Sequence, residues 1–207
     1  MKKGDSEMKR VPVFVVIFLM LASIAHCEAP ASRDVQKATS LGECATAQEV
    51  YEGNHLTAVE ACEVWKANPQ GVTILDVRTP EEYVYVGHVP AAINIPWALW
   101  TGKWDAGKKD FVLAENPHFV SQIKERFKTA DMILVICRSG ERSTQAVDGL
   151  KREGFWNAYS VMDGFEGVKS DDEESYSRGK RIRNGWKNCG DPWTYDIEIS
   201  TMAAATK

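Results

Sequence analysis

Short apolar runs alternate with helix-like stretches through the middle of the chain. The runs 72–78 (VTILDVR) and 131–136 (DMILVI) are nearly continuous in apolar character, which is typical of parallel strands buried on both faces. Two shorter runs, 92–95 (AINI) and 158–162 (AYSVM), predict a short strand and the last strand. Because helical stretches separate these strands, the pattern predicts an α/β fold with a mostly parallel central sheet and helices on both faces.

Capping signals place the helices between those strands. Thr57 and Glu60 have the spacing of a capping box, in which each side chain accepts from the other residue's backbone amide. Thr79 followed by Pro80 predicts the start of a second helix. The remaining helices are predicted after Pro117 and from Ser143 to Gly154.

The rest of the chain lacks these patterns. Residues 97–115 are predicted to be irregular, and residues 169–183 (KSDDEESYSRGKRIR) to form a solvated surface insertion. The predicted organisation is a signal segment at 1–27, a linker at 28–52, a folded domain at 53–197 and a tail at 198–207.

A basic cluster followed by an apolar run opens the chain. The run 11–24 (VPVFVVIFLMLASI) is short for a ~30 Å hydrocarbon core but suits a signal peptide, so export to the periplasm is predicted. Two alternatives stay open: the segment remains as an uncleaved anchor, or Cys27 in 24–27 (IAHC) is lipidated. Contact with a membrane is expected only through this segment in those two cases.

Charge and cysteine spacing exclude several classes of function. The formal net charge is −4 and no long basic run lies in the folded region, so no nucleic-acid partner is expected. None of the five cysteines has the spacing of a metal site, and neither a metal nor a cofactor is predicted. Cys62 falls on the apolar face of the first helix, where inert packing is expected.

Cys137 is the candidate nucleophile. It directly follows the strand 131–136, and Arg138, Ser139, Gly140, Glu141 and Arg142 come next, before a helix. Gly140 permits a tight turn, and successive backbone amides can then form an anion-binding nest beside the helix N-terminus. A thiol held in such a nest, with arginines nearby, is stabilised as the reactive thiolate.

At this point the sequence resembles the rhodanese-like domain family. The segment 137–143 (CRSGERS) looks like its active-site loop, and 75–83 (LDVRTPEEY) and 87–96 (GHVPAAINIP) resemble two further signatures. The segments 163–165 (DGF) and 185–192 (GWKNCGDP) are similar to the two halves of the C-terminal signature, here separated by the insertion. Asp163 stands where the family usually has Gly, and Asp191 where Leu is common.

The resemblance implies a single-domain sulfurtransferase. Cys137 would take a sulfur atom from a small donor such as thiosulfate, and a thiophilic acceptor would remove it from the persulfide. The amides from Arg138 to Arg142 would bind the negative charge of the substrate, as an oxyanion hole does. Asp76 and Arg78 are expected to brace the loop rather than take part in chemistry.

Three alternatives remain open at this stage. A phosphatase or arsenate reductase uses a related loop, but four residues separate Cys137 from Arg142 here, one fewer than that pattern. A persulfide carrier that serves a protein acceptor without turnover fits the same residues. A binding module for a protein partner on the same fold is the third alternative.

Overall fold

Five parallel strands form the central sheet. The structure, a computed structural model, describes residues 54–203 of the chain, so the predicted signal segment and linker lie outside the described residues. The sheet has the strand order β1-β7-β6-β2-β3, and all its pairs are parallel. The predicted α/β fold is confirmed. Its strands are β1 (His55–Leu56), β2 (Val72–Asp76), β3 (Ile93–Asn94), β6 (Met132–Ile136) and β7 (Ala158–Val161).

Four α-helices cover the two faces of this sheet. Successive residues of β2 and β6 point to opposite faces, so Ile74 and Leu134 enter one core while Leu75 and Val135 enter the other. Helices α1 and α2 pack on the first face, and α3 and α4 pack on the second. This double burial explains the continuous apolar runs. The helices are α1 (Ala58–Ala67), α2 (Pro80–Val86), α3 (Phe119–Arg126) and α4 (Glu141–Arg152).

Both predicted helix starts are confirmed at α1 and α2. Thr57 and Glu60 form a complete capping box, and Thr79 forms a second one with Glu82. The Glu82 carboxylate accepts the Thr79 backbone amide at 3.0 Å, while the Thr79 hydroxyl accepts the Glu82 amide at 3.3 Å. Each box satisfies amides that a helix start otherwise leaves unpaired.

The prediction of an irregular segment at 97–115 is wrong. Its residues form an antiparallel hairpin of β4 (Ala98–Asp105) and β5 (Asp110–Glu115), which pair only with each other within the described chain. The register shifts between Trp100 and Trp104, and this irregularity breaks the alternating pattern that identifies a strand. The turn is fastened by Asp105, whose Oδ1 accepts two backbone amides of the turn.

Three boundaries also differ from the sequence-based expectation. Helix α4 begins at Glu141 rather than Ser143, because Gly140 adopts a left-handed conformation and caps it. Residues 158–162 do not end the strand series, since β8 (Val168–Lys169) and β9 (Arg181–Arg183) pair at the base of the predicted insertion. The packed region continues beyond 197, because apolar Met202 and Ala203 are buried against the cores.

Asp163 links three parts of the fold. One carboxylate oxygen accepts the Ala58 amide at the start of α1 at 2.7 Å, and the other accepts the Gly185 amide at 2.8 Å. Gly185 precedes a 3₁₀ helix (Trp186–Asn188) that buries Trp186 in the first core. The residue that departs from the family pattern therefore ties α1 to the C-terminal part of the domain.

We expect Asp163→Ala to lower the free energy of unfolding by about 1–3 kcal/mol, because two backbone amides lose a charged acceptor. Asp163→Asn, which keeps one acceptor oxygen, should lose less. Urea unfolding of both variants gives the values. Asp148→Ala, an exposed change on α4, is the control, and equal losses at 148 and 163 would contradict the linking role.

Candidate functional site

Cys137 lies at the carboxyl end of β6, on the floor of a tight loop. The residue is 1% exposed, and its Sγ accepts the Gly140 amide at 3.2 Å. Gly140 has φ of 98°, which turns the chain into α4 directly above the sulfur. A strand end, a left-handed glycine and a helix start therefore converge on one thiol.

The next chain segment orients the first peptide groups of the loop. The Phe165 amide donates to the Cys137 carbonyl at 2.8 Å, and the Glu166 amide donates to the Arg138 carbonyl at 2.9 Å. In a trans peptide the carbonyl and the following N–H point in opposite directions. The amides of Arg138 and Ser139 must therefore point away from Phe165 and Glu166.

Buried hydroxyls orient the last peptide group in the same way. The Gly140 carbonyl accepts from the Ser143 hydroxyl at 2.8 Å, and from the Thr144 hydroxyl and amide at 3.0 Å each. Ser160, on β7, donates to the Ser143 hydroxyl at 2.9 Å. These bonds pull the carbonyl toward the helix, so the Glu141 amide faces outward at the N-terminus of α4, where anions are favoured.

Two glycines permit the close approach of the two segments. A side chain at Gly140 would collide with the Met162 carbonyl oxygen. A Cβ at Gly164 would lie 2.6 Å from the Cys137 carbonyl oxygen and 2.6 Å from the Ser139 nitrogen. Both positions also have positive φ, so any other residue would be strained there.

Arg142 is held by Glu82, 60 residues earlier in the chain. The guanidinium donates to both carboxylate oxygens at 2.7 Å, and both side chains are largely buried. Burial raises the pKa of the Glu82 carboxyl, but the hydrogen bonds and charge of Arg142 outweigh burial, so the pKa lies below its ordinary value. Burial lowers the pKa of Arg142 and the Glu82 carboxylate raises it by more, which keeps the guanidinium charged.

Asp76 and Arg78 form a fully buried ion pair beside the loop. Arg78 donates to Asp76 at 2.6–3.0 Å and to the Gly87 carbonyl at 2.7 Å. Its guanidinium carbon lies 4.2 Å from the centre of the Phe165 ring, and the Phe165 amide binds the Cys137 carbonyl. The bracing predicted for Asp76 and Arg78 therefore reaches the loop indirectly, through Phe165.

The other predicted site residues occupy the rim of the loop. The side chains of Arg138 and Glu141 are exposed, and Ser139 is half-buried.

Away from the loop, burial and a hydrogen bond to Asp191 raise the pKa of Cys62 to about 12, which agrees with the inert packing predicted for it.

His88 belongs to a different part of the domain. Its ring nitrogens lie 3.3 Å from the Tyr83 carbonyl and 3.1 Å from the Asp196 carbonyl, and the ring stacks on Tyr83 at 3.8 Å. Burial lowers the pKa of His88. A cavity of about 340 Å³ adjoins this residue, but no residue of the Cys137 loop lines it.

The described residues contain neither a metal cluster nor a membrane-spanning helix. Within residues 54–203, no group of three or more His, Cys, Asp and Glu side chains is placed to hold a metal ion. Over the same stretch, no helix is both long and apolar enough to cross a membrane.

The part of the chain that contains this loop matches a known family. A family model described as the rhodanese-like domain matches residues 61–171, just over half of the 207-residue chain. The chain belongs to the rhodanese-like domain family. The resemblance stated from the sequence is thereby confirmed, and the match includes both Cys137 and the Glu82–Arg142 pair.

Individual relatives agree with this assignment. The chain is 36% identical to Thiosulfate sulfurtransferase 16, chloroplastic, of Arabidopsis thaliana over 95 residues, 46% of this chain and 72% of that protein. It is 35% identical to Senescence-associated protein DIN1 of Raphanus sativus over 95 residues, 46% of this chain and about half (47%) of that protein's length. The crystal structure of Rv0390 from M. tuberculosis matches with a TM-score of 0.54 and 26% identity, covering 69% of this chain and 97% of that one. The family and the first relative support a function of the sulfurtransferase kind.

Sequence reasoning missed most of the groups that hold the loop. Glu82 stood inside a recognised signature, but nothing in the spacing placed it beside Arg142. Ser160 and the amides of Phe165 and Glu166 carried no signal of their own, although 163–165 was recognised as part of the C-terminal signature. The spacing of Thr79 and Glu82 fits a capping box, which accounts for Glu82 locally and gives no sign of its second contact with Arg142.

We expect Glu82→Gln to lower the free energy of unfolding by about 1–3 kcal/mol at neutral pH, between the costs of breaking exposed and buried pairs. Because the folded pKa of Glu82 is lowered, its contribution is complete above the ordinary carboxyl range and is lost as pH falls through the folded value. The difference from wild type should therefore shrink below about pH 4.

Urea unfolding across this pH range makes the measurement. Glu81→Gln is the matched control, since Glu81 is exposed in the same helical turn. A difference at Glu82 that stays constant down to acid pH would show that the ion pair does not supply the stability.

Proposed function

We propose that this protein is a sulfurtransferase in which Cys137 carries sulfane sulfur, as a persulfide, from a small anionic donor such as thiosulfate to a thiophilic acceptor. The observation that carries the proposal is a buried thiol at the start of α4 that already accepts one backbone amide of the loop. Gly140 already donates to Sγ, and the amides of Arg138, Ser139 and Glu141 are turned outward by bonds to their peptide carbonyls. Such a nest stabilises a thiolate and then the charge of the transferred sulfur.

The first half-reaction balances without a cofactor. The Cys137 thiolate attacks the outer sulfur of thiosulfate and forms a new S–S bond. The bond between that sulfur and the sulfonate breaks, and sulfite leaves with the electron pair. The developing negative charges lie among the loop amides and the N-terminus of α4, where pre-oriented donors lower the barrier.

The second half-reaction regenerates the enzyme. A nucleophile such as cyanide or a thiol attacks the terminal sulfur of the persulfide, and the Cys137 thiolate leaves. Cys137 is 1% exposed, which favours acceptors with a narrow attacking atom. A protein acceptor that presents a thiol on a flexible segment meets the same requirement.

The geometry of Arg142 supports sulfur transfer over phosphate chemistry. In a phosphatase loop the final arginine binds the tetrahedral phosphate, commonly through two parallel N–H bonds. Here Glu82 already binds both terminal nitrogens of Arg142. Arg142 then acts as a fixed positive charge beside the loop rather than as a ligand of the transferred group.

We expect thiosulfate to add one sulfur atom to Cys137 and to no other cysteine. Cys137→Ser should lose both this adduct and the turnover of thiosulfate with cyanide, whereas Cys189→Ser should keep both. Mass spectrometry with peptide mapping detects the adduct, and a thiocyanate assay measures turnover. Turnover that survives Cys137→Ser would refute the mechanism, and an adduct without turnover would indicate a carrier. If the protein hydrolyses an aryl phosphate at the same rate as it consumes thiosulfate, the assignment to sulfur chemistry is refuted.

We expect Arg142→Ala to slow persulfide formation by about 10²-fold or less. The loss of one oxyanion-hole donor lowers the rate about 10²–10³-fold, and Arg142 acts on the reacting sulfur from a greater distance than such a donor. Stopped-flow measurement of sulfite release gives the rate of the first half-reaction. Arg152→Ala, an exposed change at the far end of α4, should leave it unchanged. Equal rates in wild type and Arg142→Ala would remove Arg142 from the site.

A further inference from the structure

The hairpin of β4 and β5 presents one apolar face that the rest of the described chain does not cover. Trp100 pairs with Leu113 and Trp104 with Phe111, so the four side chains share one side of the two-stranded sheet. They are 45%, 38%, 57% and 40% exposed, in that order. We call these four residues the aromatic face.

The aromatic face is ordered although it has no covering layer. The Phe111 ring lies 4.5 Å from the Trp100 ring and 5.2 Å from the Trp104 ring, so the aromatic side chains pack on one another. β4 and β5 form no sheet with any other strand between residues 54 and 203. The described chain therefore leaves the aromatic face open to solvent, although the base of the hairpin is joined to the domain through buried Ala98.

The size of the face argues against a stable protein interface. A fully exposed aromatic side chain offers about 150–250 Å², so these partly covered residues present on the order of 400 Å². Each partner of a standard protein–protein interface buries about 800 Å². A patch of this size lies within the range of about 300–600 Å² of the largest apolar patch on a monomer, which is often functional, and is smaller than the area that a stable dimer buries on each partner.

The charges at the end of the hairpin favour an anionic surface. Lys103, Lys108 and Lys109 are all exposed there, against two carboxylates, Asp105 and Asp110. Asp105 accepts two backbone amides of the turn and Asp110 accepts one, so both carboxylates are engaged in local hydrogen bonds. The three lysines exceed the two carboxylates by one, so the end of the hairpin carries a small positive charge.

We propose that the aromatic face inserts into the headgroup region of an anionic lipid bilayer. Tryptophan and phenylalanine favour that interface, and flanking lysines place their stems along the apolar layer and their charges among lipid phosphates. The proposal does not depend on the sulfurtransferase assignment. It adds a membrane contact through the folded domain to the one that the N-terminal segment would make only if it stays uncleaved or is lipidated.

The test measures where tryptophan emission is quenched by bromine atoms on lipid acyl chains. All seven tryptophans lie in the described part of the chain, and three of them, Trp100, Trp104 and Trp156, are exposed. The whole chain is mixed with brominated vesicles of phosphatidylcholine alone or with phosphatidylglycerol. The apolar run 11–24 can itself attach the chain to vesicles. Tryptophan quenching is therefore measured instead of vesicle binding, because it reports contact of the hairpin with lipid.

We expect tryptophan emission to be quenched in the anionic vesicles. The double variant Trp100→Phe with Trp104→Phe should lose this quenching, because phenylalanine keeps the face apolar but removes its tryptophan emission. Trp156→Phe is the matched control and should keep the quenching, since Trp156 lies outside the hairpin and precedes β7, which is separated from β3 by β6 and β2 in the sheet. Replacing the three lysines with glutamate should reduce quenching in anionic vesicles.

Two outcomes overturn the proposal. Quenching that is the same in wild type and in the double phenylalanine variant would show that the hairpin does not touch lipid. A concentration-dependent dimer in sedimentation, lost when Trp100 and Trp104 become alanine, would instead assign the aromatic face to a second copy of the chain.

Discussion

The peptide carbonyls of Cys137, Arg138 and Gly140 are each bound by donors outside the loop, and this fixes the loop in which the Gly140 amide donates to the thiol. Two backbone amides after β7 hold the first two carbonyls, and hydroxyls of α4 hold that of Gly140. Without those donors the loop could satisfy its own carbonyls by collapsing onto its amides. The reactive geometry is therefore a property of three neighbouring elements rather than of the loop sequence.

This constraint explains why residues far from Cys137 matter to its surroundings. Phe165 supplies an amide to the loop and a ring to the buried Arg78 guanidinium, so the ion pair with Asp76 fixes the segment that fixes the loop. Glu82 also makes two contacts, because its carboxylate caps the start of α2 and binds Arg142. A disturbance of the α2 start would thus move a positive charge at the mouth of the site.

Local signals were enough to predict the framework. The buried strands β2 and β6 and the caps at Thr57 and Thr79 follow from residue type and short spacing, and the glycine turn after Cys137 follows likewise. The short strand β3 was predicted from the run 92–95, whereas the two-residue strand β1 is too short to show any periodicity and a register shift hid the β4–β5 hairpin. The Glu82–Arg142 contact spans 60 residues, and backbone donors carry no residue signature, so neither could be read from spacing.

The C-terminal segment also closes an opening in the sheet. β3 is the outermost strand on its side, and an outer strand with unpaired amides and carbonyls can recruit strands of other molecules. Met202 forms a bridge with Asn94 on that open side, and Thr194 pairs with His88 just before the strand. The final residues of the described chain thus occupy positions that an intermolecular strand would need, and they protect the domain from edge-to-edge aggregation.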